Sequence, residues 1–248
     1  MDAFFEWFRW LYDTTGINLP IFYDAFDRGR FLDGLLMTVW LSLVCLFWSL
    51  VIGIVGAWFQ GSRQWWIRNG VQLYIQLFRN TPPLVQLYFF YFAISNLLPT
   101  VENQYGFQEP LFSNFFWAAL SLSFFAGAFN VEIFRSGIEA VPKSTVEAAE
   151  SLGFNRLFIY RDIVFPLAFR VCLPALNNNL VNLVKTTTLA YAIAVPELLY
   201  ESNQIWSDNV NVPEMMVVLL ILYVALVGIL VAVMNRLERA LRIPGYGL

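Results

Sequence analysis

The amino-acid sequence predicts an all-α fold, a polytopic bundle of membrane-spanning helices. Of the 248 residues, 58% are hydrophobic and only 13% are charged, whereas a soluble domain normally carries about twice that charged fraction. Residues 35–59 contain no charged side chain, and residues 215–234 are apolar throughout. Runs of that length match the thickness of a bilayer core. The low charge and the long apolar runs together predict the fold class.

Five helical spans are predicted from the apolar runs and the polar breaks between them. They are residues 35–59, 83–98, 114–133, 168–195 and 215–234. The second span begins at Pro83 because Pro82 and Pro83 remove two backbone donors in succession. Gly53 and Gly56 in the first span are expected to let another helix approach closely.

Residues 1–34 and 35–248 are expected to differ in their relation to the membrane. The first part is predicted to be extracytoplasmic or interfacial, because its aromatic start suits a helix at the membrane surface. A disordered or locally packed N-terminus is the alternative. Residues 13–33 are expected to be an irregular polar lead-in, and residues 35–248 to form one transmembrane domain.

The distribution of charge predicts the orientation in the membrane. Eleven of the 15 Lys and Arg residues lie in three connecting segments, residues 60–82, 132–170 and 235–248. The alternate segments hold three Lys and Arg residues and twelve acids, and they are residues 1–34, 98–114 and 196–214. Because basic residues favour the cytoplasmic side, the N-terminus is predicted outside and the C-terminus inside.

Composition also excludes several classes of function. There is no basic stripe for nucleic acid, and a chain with no His and two separated cysteines gives no zinc or haem site. Cys45 and Cys172 lie in apolar segments and are expected to be buried. The sequence has no G-x-x-x-x-G-K-[ST] phosphate loop. No cofactor is therefore predicted in this chain, and no enzymatic activity.

The most distinctive polar segment is residues 141–165, which lies between two apolar spans. Ser144 and Glu147 have the spacing of a capping box, in which each side chain satisfies a free N–H group of the first turn. Gly153 stands where a helix can end with a positive φ. A short helix is therefore predicted over residues 145–152, and a solvated loop that happens to be helical is the alternative.

The fourth predicted span is unusually polar. Lys185 at that depth costs at least about 2.5–3.5 kcal/mol on insertion scales, so it is expected to face a cavity or a partner. The side chains that would form an internal site for a polar solute with Lys185 are Thr186, Thr187, Thr188, Asn182 and Asn178. A structural salt bridge, or a lysine that reaches toward the interface, is the alternative.

Other polar residues have simpler expected roles. Arg79 lies beside the proline break and is interpreted as an interfacial anchor, although a place on the solute pathway is the alternative. Glu132 and Arg135 are three residues apart and are expected to pair on one helix face. At most two of the three consecutive asparagines at 177–179 can face one cavity, and interhelical hydrogen bonding is their expected role.

Several motifs resemble those of known transporters. Glu147-Ala148-Ala149 with the later Gly153 resembles the EAA motif of ABC-importer permeases. FRNTPPLVQ at 78–86, EIFRSGIEAVP at 132–142 and KTTTL at 185–189 resemble, in the same order, the polar amino acid permeases, which include the histidine and glutamate–aspartate permeases. The resemblance implies the type I ABC importer (MetI-like) permease fold with five transmembrane helices.

The resemblance also implies a mechanism and a set of partners. The cytoplasmic coupling segment 141–165 would dock on an ABC ATPase dimer, which binds ATP and Mg²⁺. The implied coupling residues are Ser144, Glu147, Ala148, Ala149, Gly153 and Arg156. The other implied partners are a second identical or homologous permease subunit, an extracytoplasmic amino-acid-binding protein, a polar amino acid and the lipids of the bacterial inner membrane.

One departure from the family pattern bears on the substrate. Thr186 stands where Asp or Asn is frequent, so with Lys185 retained the sequence favours acidic or neutral amino acids. A gradient-driven secondary amino acid carrier is the alternative function, but it would need an inverted repeat or a proton-carrying acid within the spans. A membrane scaffold is a further alternative, against which the polar fourth span argues because buried polar groups are costly.

Overall fold

The computed structural model of the protein describes residues 2–102 and 106–241, with side chains from residue 5 onward. The first six helices are α1 (Asp2–Thr15), α2 (Pro20–Tyr23), α3 (Ala25–Gln60), α4 (Trp65–Asn80), α5 (Pro83–Tyr88) and α6 (Asn114–Glu139). The remaining helices are α7 (Lys143–Ser151), α8 (Arg156–Phe158), α9 (Phe165–Thr186), α10 (Leu198–Asn209) and α11 (Val212–Leu241). The all-α prediction is confirmed.

Short elements extend or connect these helices. A π-helix (Phe89–Ile94) and a 3-10 helix (Ser95–Leu97) continue α5. A second π-helix (Ile159–Val164) joins α8 to α9, and a 3-10 helix (Thr187–Ile193) continues α9. The only described strands are β1 (Thr100–Glu102) and β2 (Gln108–Pro110), which form an antiparallel pair.

The helices account for the five predicted spans. Among the described residues, α3, α6 and α11 are long and apolar enough to cross a membrane, with 36, 26 and 30 residues. The second predicted span is the shorter apolar run Pro83–Leu97, and the fourth is α9 with its 3-10 extension. The end of the predicted cytoplasmic tail, residues 242–248, lies outside the described residues.

The start of the first span differs from the prediction. Helix α3 begins at Ala25, so most of the expected irregular lead-in 13–33 is helical. The side chain of Asp24 explains this start, since its Oδ1 accepts hydrogen bonds from the backbone N–H groups of Phe26 (2.8 Å) and Asp27 (3.0 Å). Such bonds satisfy donors that have no partner inside the helix.

One compact unit comprises residues 2–44, 87–102, 106–120 and 184–228. Its core is a cluster of buried apolar side chains from α2, α3, α10 and α11, namely Ile21, Phe31, Leu198, Ile205, Met215 and Leu219. Arg30 of α3 forms ion pairs with Glu201 (3.3 Å) and Asp208 (2.9 Å) of α10. The segment 196–214, expected to be a polar loop, therefore contributes a packed helix to this unit.

The other compact unit comprises residues 45–86, 121–183 and 229–241. Here α3 and α6 approach closely at the two predicted glycines. A Cβ atom on Gly53 would lie 2.5 Å from Cβ of Asn130, and one on Gly56 would lie 2.3 Å from Cγ2 of Val131. The expected role of both glycines in close helix approach is confirmed.

Candidate functional site

The polar segment 141–165 forms a helix that packs on its own unit by one face. Ala149 of α7 is buried with Val141, Ile159 and Val164 in a small apolar core, while the opposite face of α7 is exposed. This arrangement anchors a nine-residue helix without covering its polar side chains.

The start of α7 corrects the predicted capping box. Helix α7 begins at Lys143, two residues earlier than predicted, and Pro142 precedes it without a side-chain cap bond. Ser144 and Glu147 are exposed within the first two turns. The N-cap is Pro142, which has no side-chain acceptor, and Ser144 already lies within the helix. The cap role assigned to Ser144 and Glu147 is therefore wrong.

The end of α7 agrees with the prediction. Gly153 has a φ of +80°. The N–H of Phe154 donates to the carbonyl of Ala149 (3.3 Å), and the N–H of Gly153 donates to that of Glu150 (2.9 Å). These two bonds define a Schellman motif, which satisfies the last helical carbonyls and favours glycine at the left-handed position.

The chain resumes a helix directly after this turn. The side chain of Asn155 accepts a hydrogen bond from the N–H of Phe158 (2.9 Å) and so caps α8. The rings of Phe154 and Phe158 stack with centroids 4.5 Å apart. The turn from α7 into α8 is therefore held by a backbone motif, a cap and an aromatic pair.

This segment lines a groove with a volume of about 650 Å³. Its charged side chains are Glu139, Lys143, Glu147, Glu150 and Arg156, and its apolar lining includes Val141, Val146, Ile159 and Val164. A groove with an apolar floor and a charged border suits the tip of a partner protein. Of the predicted coupling residues, Ser144, Glu147, Ala148, Gly153 and Arg156 are exposed and Ala149 is buried.

The predicted pathway residues on α9 fall into two groups. Asn178, Asn182 and Lys185 are exposed and lie four and three residues apart, which places them on one face of α9. Thr187 is fully buried and donates its hydroxyl to the carbonyl of Val184 (2.7 Å). Thr187 therefore does not share the exposed face that Asn178, Asn182 and Lys185 form.

Thr186 and Thr188, which flank Thr187, are half-buried. The hydroxyl of Thr188 donates to the carbonyl of Lys185 (2.9 Å). A threonine hydroxyl that bonds three residues back has used its proton within the helix. It retains only acceptor capacity toward a ligand.

The neighbouring asparagines join helices, as expected. Nδ2 of Asn179 donates to Oδ1 of Asn130 (2.8 Å), and Nδ2 of Asn130 donates to Oγ of Ser49 (3.3 Å). Nδ2 of Asn177 donates to Oδ1 of Asn235 on α11 (3.1 Å). Hydrogen bonds of this kind stabilise helix association in a membrane.

The structure brings together charged residues that sequence reasoning separated. Arg79 at the end of α4 forms an ion pair with Glu132 of α6, and its guanidinium lies over the ring of Phe129 at 5.1 Å. Arg135 pairs instead with Glu139 (3.0 Å). The expected Glu132–Arg135 pair is therefore wrong, while the anchor role of Arg79 stays a prediction. No local signal relates Arg79 to Glu132, because they lie on different helices far apart in sequence.

The proline break that follows Arg79 is stabilised by a buried amide. Nε2 of Gln86 donates to the carbonyls of Phe78 (2.8 Å) and Thr81 (3.0 Å) and lies 2.7 Å from Oγ1 of Thr81. The break leaves the last carbonyls of α4 without helical partners. Gln86 supplies donors to them, and so the end of α4 that carries Arg79 is fixed.

Sequence reasoning also missed Glu197, which it placed in an external loop. Glu197 is fully buried at the start of α10. Its carboxylate accepts hydrogen bonds from the N–H groups of Leu199 (3.0 Å) and Tyr200 (2.9 Å) and from the hydroxyl of Tyr223 (3.0 Å). Burial raises the pKa of Glu197 to about 7, although these hydrogen bonds oppose the rise in pKa.

These features define a class of protein: a multi-span helical membrane protein with an exposed polar helix between two of its spans. Residues 49–243 match the family model described as binding-protein-dependent transport system inner membrane component. This match covers more than half of the chain. The chain therefore belongs to that family.

The curated relatives include permeases for several amino acids. The glutamine transport system permease protein GlnP of Escherichia coli K12 is 32% identical over 213 residues, covering 86% of this chain and 93% of the relative. The octopine permease OccM of Rhizobium radiobacter is 32% identical over 212 residues, covering 84% and 85%. The histidine/lysine/arginine/ornithine permease HisM of Salmonella typhimurium is 30% identical over 218 residues, covering 86% and 90%. The resemblance to polar amino acid permeases is confirmed.

Solved structures confirm the fold. A crystal structure of an amino acid ABC transporter with histidines aligns with a TM-score of 0.74 at 26% identity, covering 86% of this chain and 94% of that one. An inward-facing form of the MetNI methionine ABC transporter aligns with a TM-score of 0.66 at 18% identity, covering 87% and 98%. The chain therefore has the predicted MetI-like permease fold.

Proposed function

We propose that this chain is the permease subunit of an ABC importer that moves a polar amino acid across the bacterial inner membrane. The observation that carries the proposal is the family match over residues 49–243, joined to relatives that are named as glutamine, octopine and histidine-group permeases. The sequence contains no phosphate loop, so a separate ATPase dimer would bind ATP and Mg²⁺ and hydrolyse the ATP.

Helix α7 and its turn are proposed to be the contact with that ATPase. Ser144, Glu147, Ala148 and Arg156 present exposed side chains, and of these Glu147 and Arg156 line the groove of about 650 Å³. The buried Ala149 attaches α7 to Ile159 and Val164, and the Schellman turn at Gly153 connects α7 to the helical run that becomes α9. A displacement of α7 by the ATPase would thus be transmitted to α9 through packed side chains and through the Schellman turn.

The proposed orientation places the N-terminus outside and the C-terminus in the cytoplasm. The support is the excess of Lys and Arg in residues 60–82, 132–170 and 235–248. An extracytoplasmic amino-acid-binding protein would then meet acidic segments on the outer side, and we expect basic patches on it. A second permease subunit, identical or homologous, would complete the membrane part of the importer.

The proposed substrate is an acidic or neutral amino acid. Lys185 is exposed on the same face of α9 as Asn178 and Asn182, where an ammonium group and two amides offer donors to a carboxylate. Thr186 stands where related sequences frequently carry Asp or Asn, so a carboxylate that would attract cationic side chains is missing. Thr188 would contribute an acceptor, whereas Thr187, which is fully buried, would not reach the substrate.

Reconstitution tests this function directly. The chain would be purified with its co-purifying proteins and inserted into liposomes with the cognate binding protein. We expect a P-loop ATPase to co-purify. ATP enclosed in the liposome lumen, which corresponds to the cytoplasm, should drive uptake, and glutamine or glutamate should be taken up in preference to arginine and lysine. Uptake that follows a proton gradient without ATP would support the secondary carrier instead, and a preference for arginine or lysine would contradict the substrate class.

A further inference from the structure

A second polar cavity lies in the unit that contains residues 45–86 and 121–183. Its volume is about 320 Å³, and its lining residues are Arg79, Phe129, Glu132, Ile133, Arg135, Ser136 and Glu139. This volume lies at the lower end of the range of small-molecule sites, about 300–1,000 Å³, which is large enough for one amino acid.

The lining of this cavity carries both signs of charge. Two guanidinium groups, of Arg79 and Arg135, and two carboxylates, of Glu132 and Glu139, face the same space. A simple anion would meet the repulsion of the carboxylates, and a simple cation that of the guanidinium groups. A zwitterion can place each of its charges against an opposite one.

The two ion pairs differ in what they connect. Arg135 and Glu139 are four residues apart on α6, so their ion pair lies within a single helix. Arg79 and Glu132 join the end of α4 to α6, and their side chains are 37% and 34% exposed. A ligand can therefore reach the Arg79–Glu132 pair, and separation of this pair would weaken the contact between α4 and α6.

The side chain of Arg79 is also held in place by its neighbours. Its guanidinium lies over the Phe129 ring at 5.1 Å, and Gln86 fixes the chain break immediately after its helix. Glu132 lies seven residues before the end of α6, in the segment 132–170 that is proposed to face the cytoplasm. Its partner Arg79 lies in the segment 60–82, which is proposed to face the same side.

We propose that this cavity binds the charged backbone of the transported amino acid, with Arg79 taking the carboxylate and Glu132 taking the ammonium group. Two ion pairs with the ligand then replace the single Arg79–Glu132 pair. Because the ligand would separate the two side chains, its entry and release would open and close the link between α4 and α6. This inference rests on the proposed amino acid transport function and adds a place where the amino acid is held.

Ligand analogues test the assignment of each charge. Binding to the assembled permease–ATPase complex in nanodiscs would be measured for L-glutamine, for glutaramic acid, which lacks the ammonium group, and for 4-aminobutanamide, which lacks the carboxylate. In the wild type we expect L-glutamine to bind at least about tenfold more tightly than either analogue, since a charged hydrogen bond typically contributes a factor of that size or more.

Two variants and a matched control complete the test. In Arg79→Ala the preference for L-glutamine over 4-aminobutanamide should fall to about one, while its preference over glutaramic acid remains. In Glu132→Gln the opposite pattern is expected. Glu238→Gln removes a carboxylate of α11 that does not line this cavity, and it should retain both preferences.

The outcomes separate this site from the proposed function. If Arg79→Ala and Glu132→Gln weaken all three ligands equally, or leave both preferences intact, the pair is a structural brace and the site is overturned while amino acid transport stands. If the wild-type complex binds none of the common amino acids and imports none with ATP, the proposed function fails, and the site fails with it.

Discussion

Substitution of Gly153 tests the coupling segment through the backbone alone. A Cβ atom at this position would have no heavy atom within 4 Å, so no steric contact in the described chain opposes a side chain. The φ of +80° is the obstacle, because a side chain in the left-handed region costs about 1–2 kcal/mol. Such a cost lowers the population of the Schellman turn at residue 153 about 5- to 30-fold.

The substituents should therefore rank by their tolerance of a positive φ. Gly153→Asn is expected to retain most uptake, since asparagine adopts this region more readily than other residues. Gly153→Ala should reduce ATP-driven uptake severalfold, and Gly153→Val, which is β-branched, should abolish it. The assay is substrate uptake into liposomes that contain the complete importer, with the amount of inserted permease measured in parallel.

Gly70→Ala is the matched control for this series. Gly70 also has open surroundings but lies in α4 without a positive φ, so alanine there should leave uptake unchanged. Normal uptake by Gly153→Val at wild-type levels of inserted protein would refute the coupling role of the turn. Loss of the protein from the membrane would instead show that the turn is needed for folding.

Three further predictions concern buried contacts. Gln86→Leu should lower the midpoint of thermal unfolding by several degrees, because the carbonyls at the proline break lose donors worth about 1–3 kcal/mol. Gly137→Ala should lower the midpoint further, since the new Cβ would lie 2.1 Å from Sγ of Cys172 and 2.8 Å from the carbonyl of Ala168. The pKa of Glu197 in the folded protein is raised to about 7, so the folded protein holds a proton that the unfolded chain releases between about pH 4.5 and 7. The free energy of unfolding should therefore fall by up to about 1.4 kcal/mol per pH unit as the pH rises through this range. Glu197→Gln should remove that dependence.

Each of these predictions has a contrary result. An unchanged midpoint in Gln86→Leu would mean that the break is held by other contacts. A stable Gly137→Ala protein would show that α6 and α9 separate at low cost. If Glu197→Gln retains the pH dependence of the wild type between pH 4.5 and 7, another group is responsible for it.

Local sequence patterns predicted the features that depend on neighbouring residues. The end of α7 at Gly153 follows from a backbone preference that acts within one turn, and it was predicted correctly. The close approach at Gly53 and Gly56 followed from the absence of side chains there. The predicted capping box failed although its spacing was right, because α7 begins at Lys143, so Ser144 lies inside the helix and not at its cap.

Features that depend on distant residues were not predictable in the same way. The partner of Glu132 is Arg79, which lies on another helix, while the local spacing suggested Arg135. Glu197 looked like part of an acidic loop, yet it is buried against Tyr223. In both cases the tertiary packing, which brings helices together, decides the environment of the charge.

Helix α7 is proposed to face the cytoplasm and to contact an ATPase during uptake. Cysteine substitution measures this most directly, because the two native cysteines, Cys45 and Cys172, are buried. Ala148→Cys should be exposed and Ala149→Cys buried, as the native alanines are. We expect Ala148→Cys to cross-link to the co-purifying ATPase and to react with an impermeant maleimide only from the cytoplasmic side, while Ala149→Cys does neither. Labelling of Ala148→Cys from the outside, or the absence of any cross-link during ATP-driven uptake, would contradict this proposal.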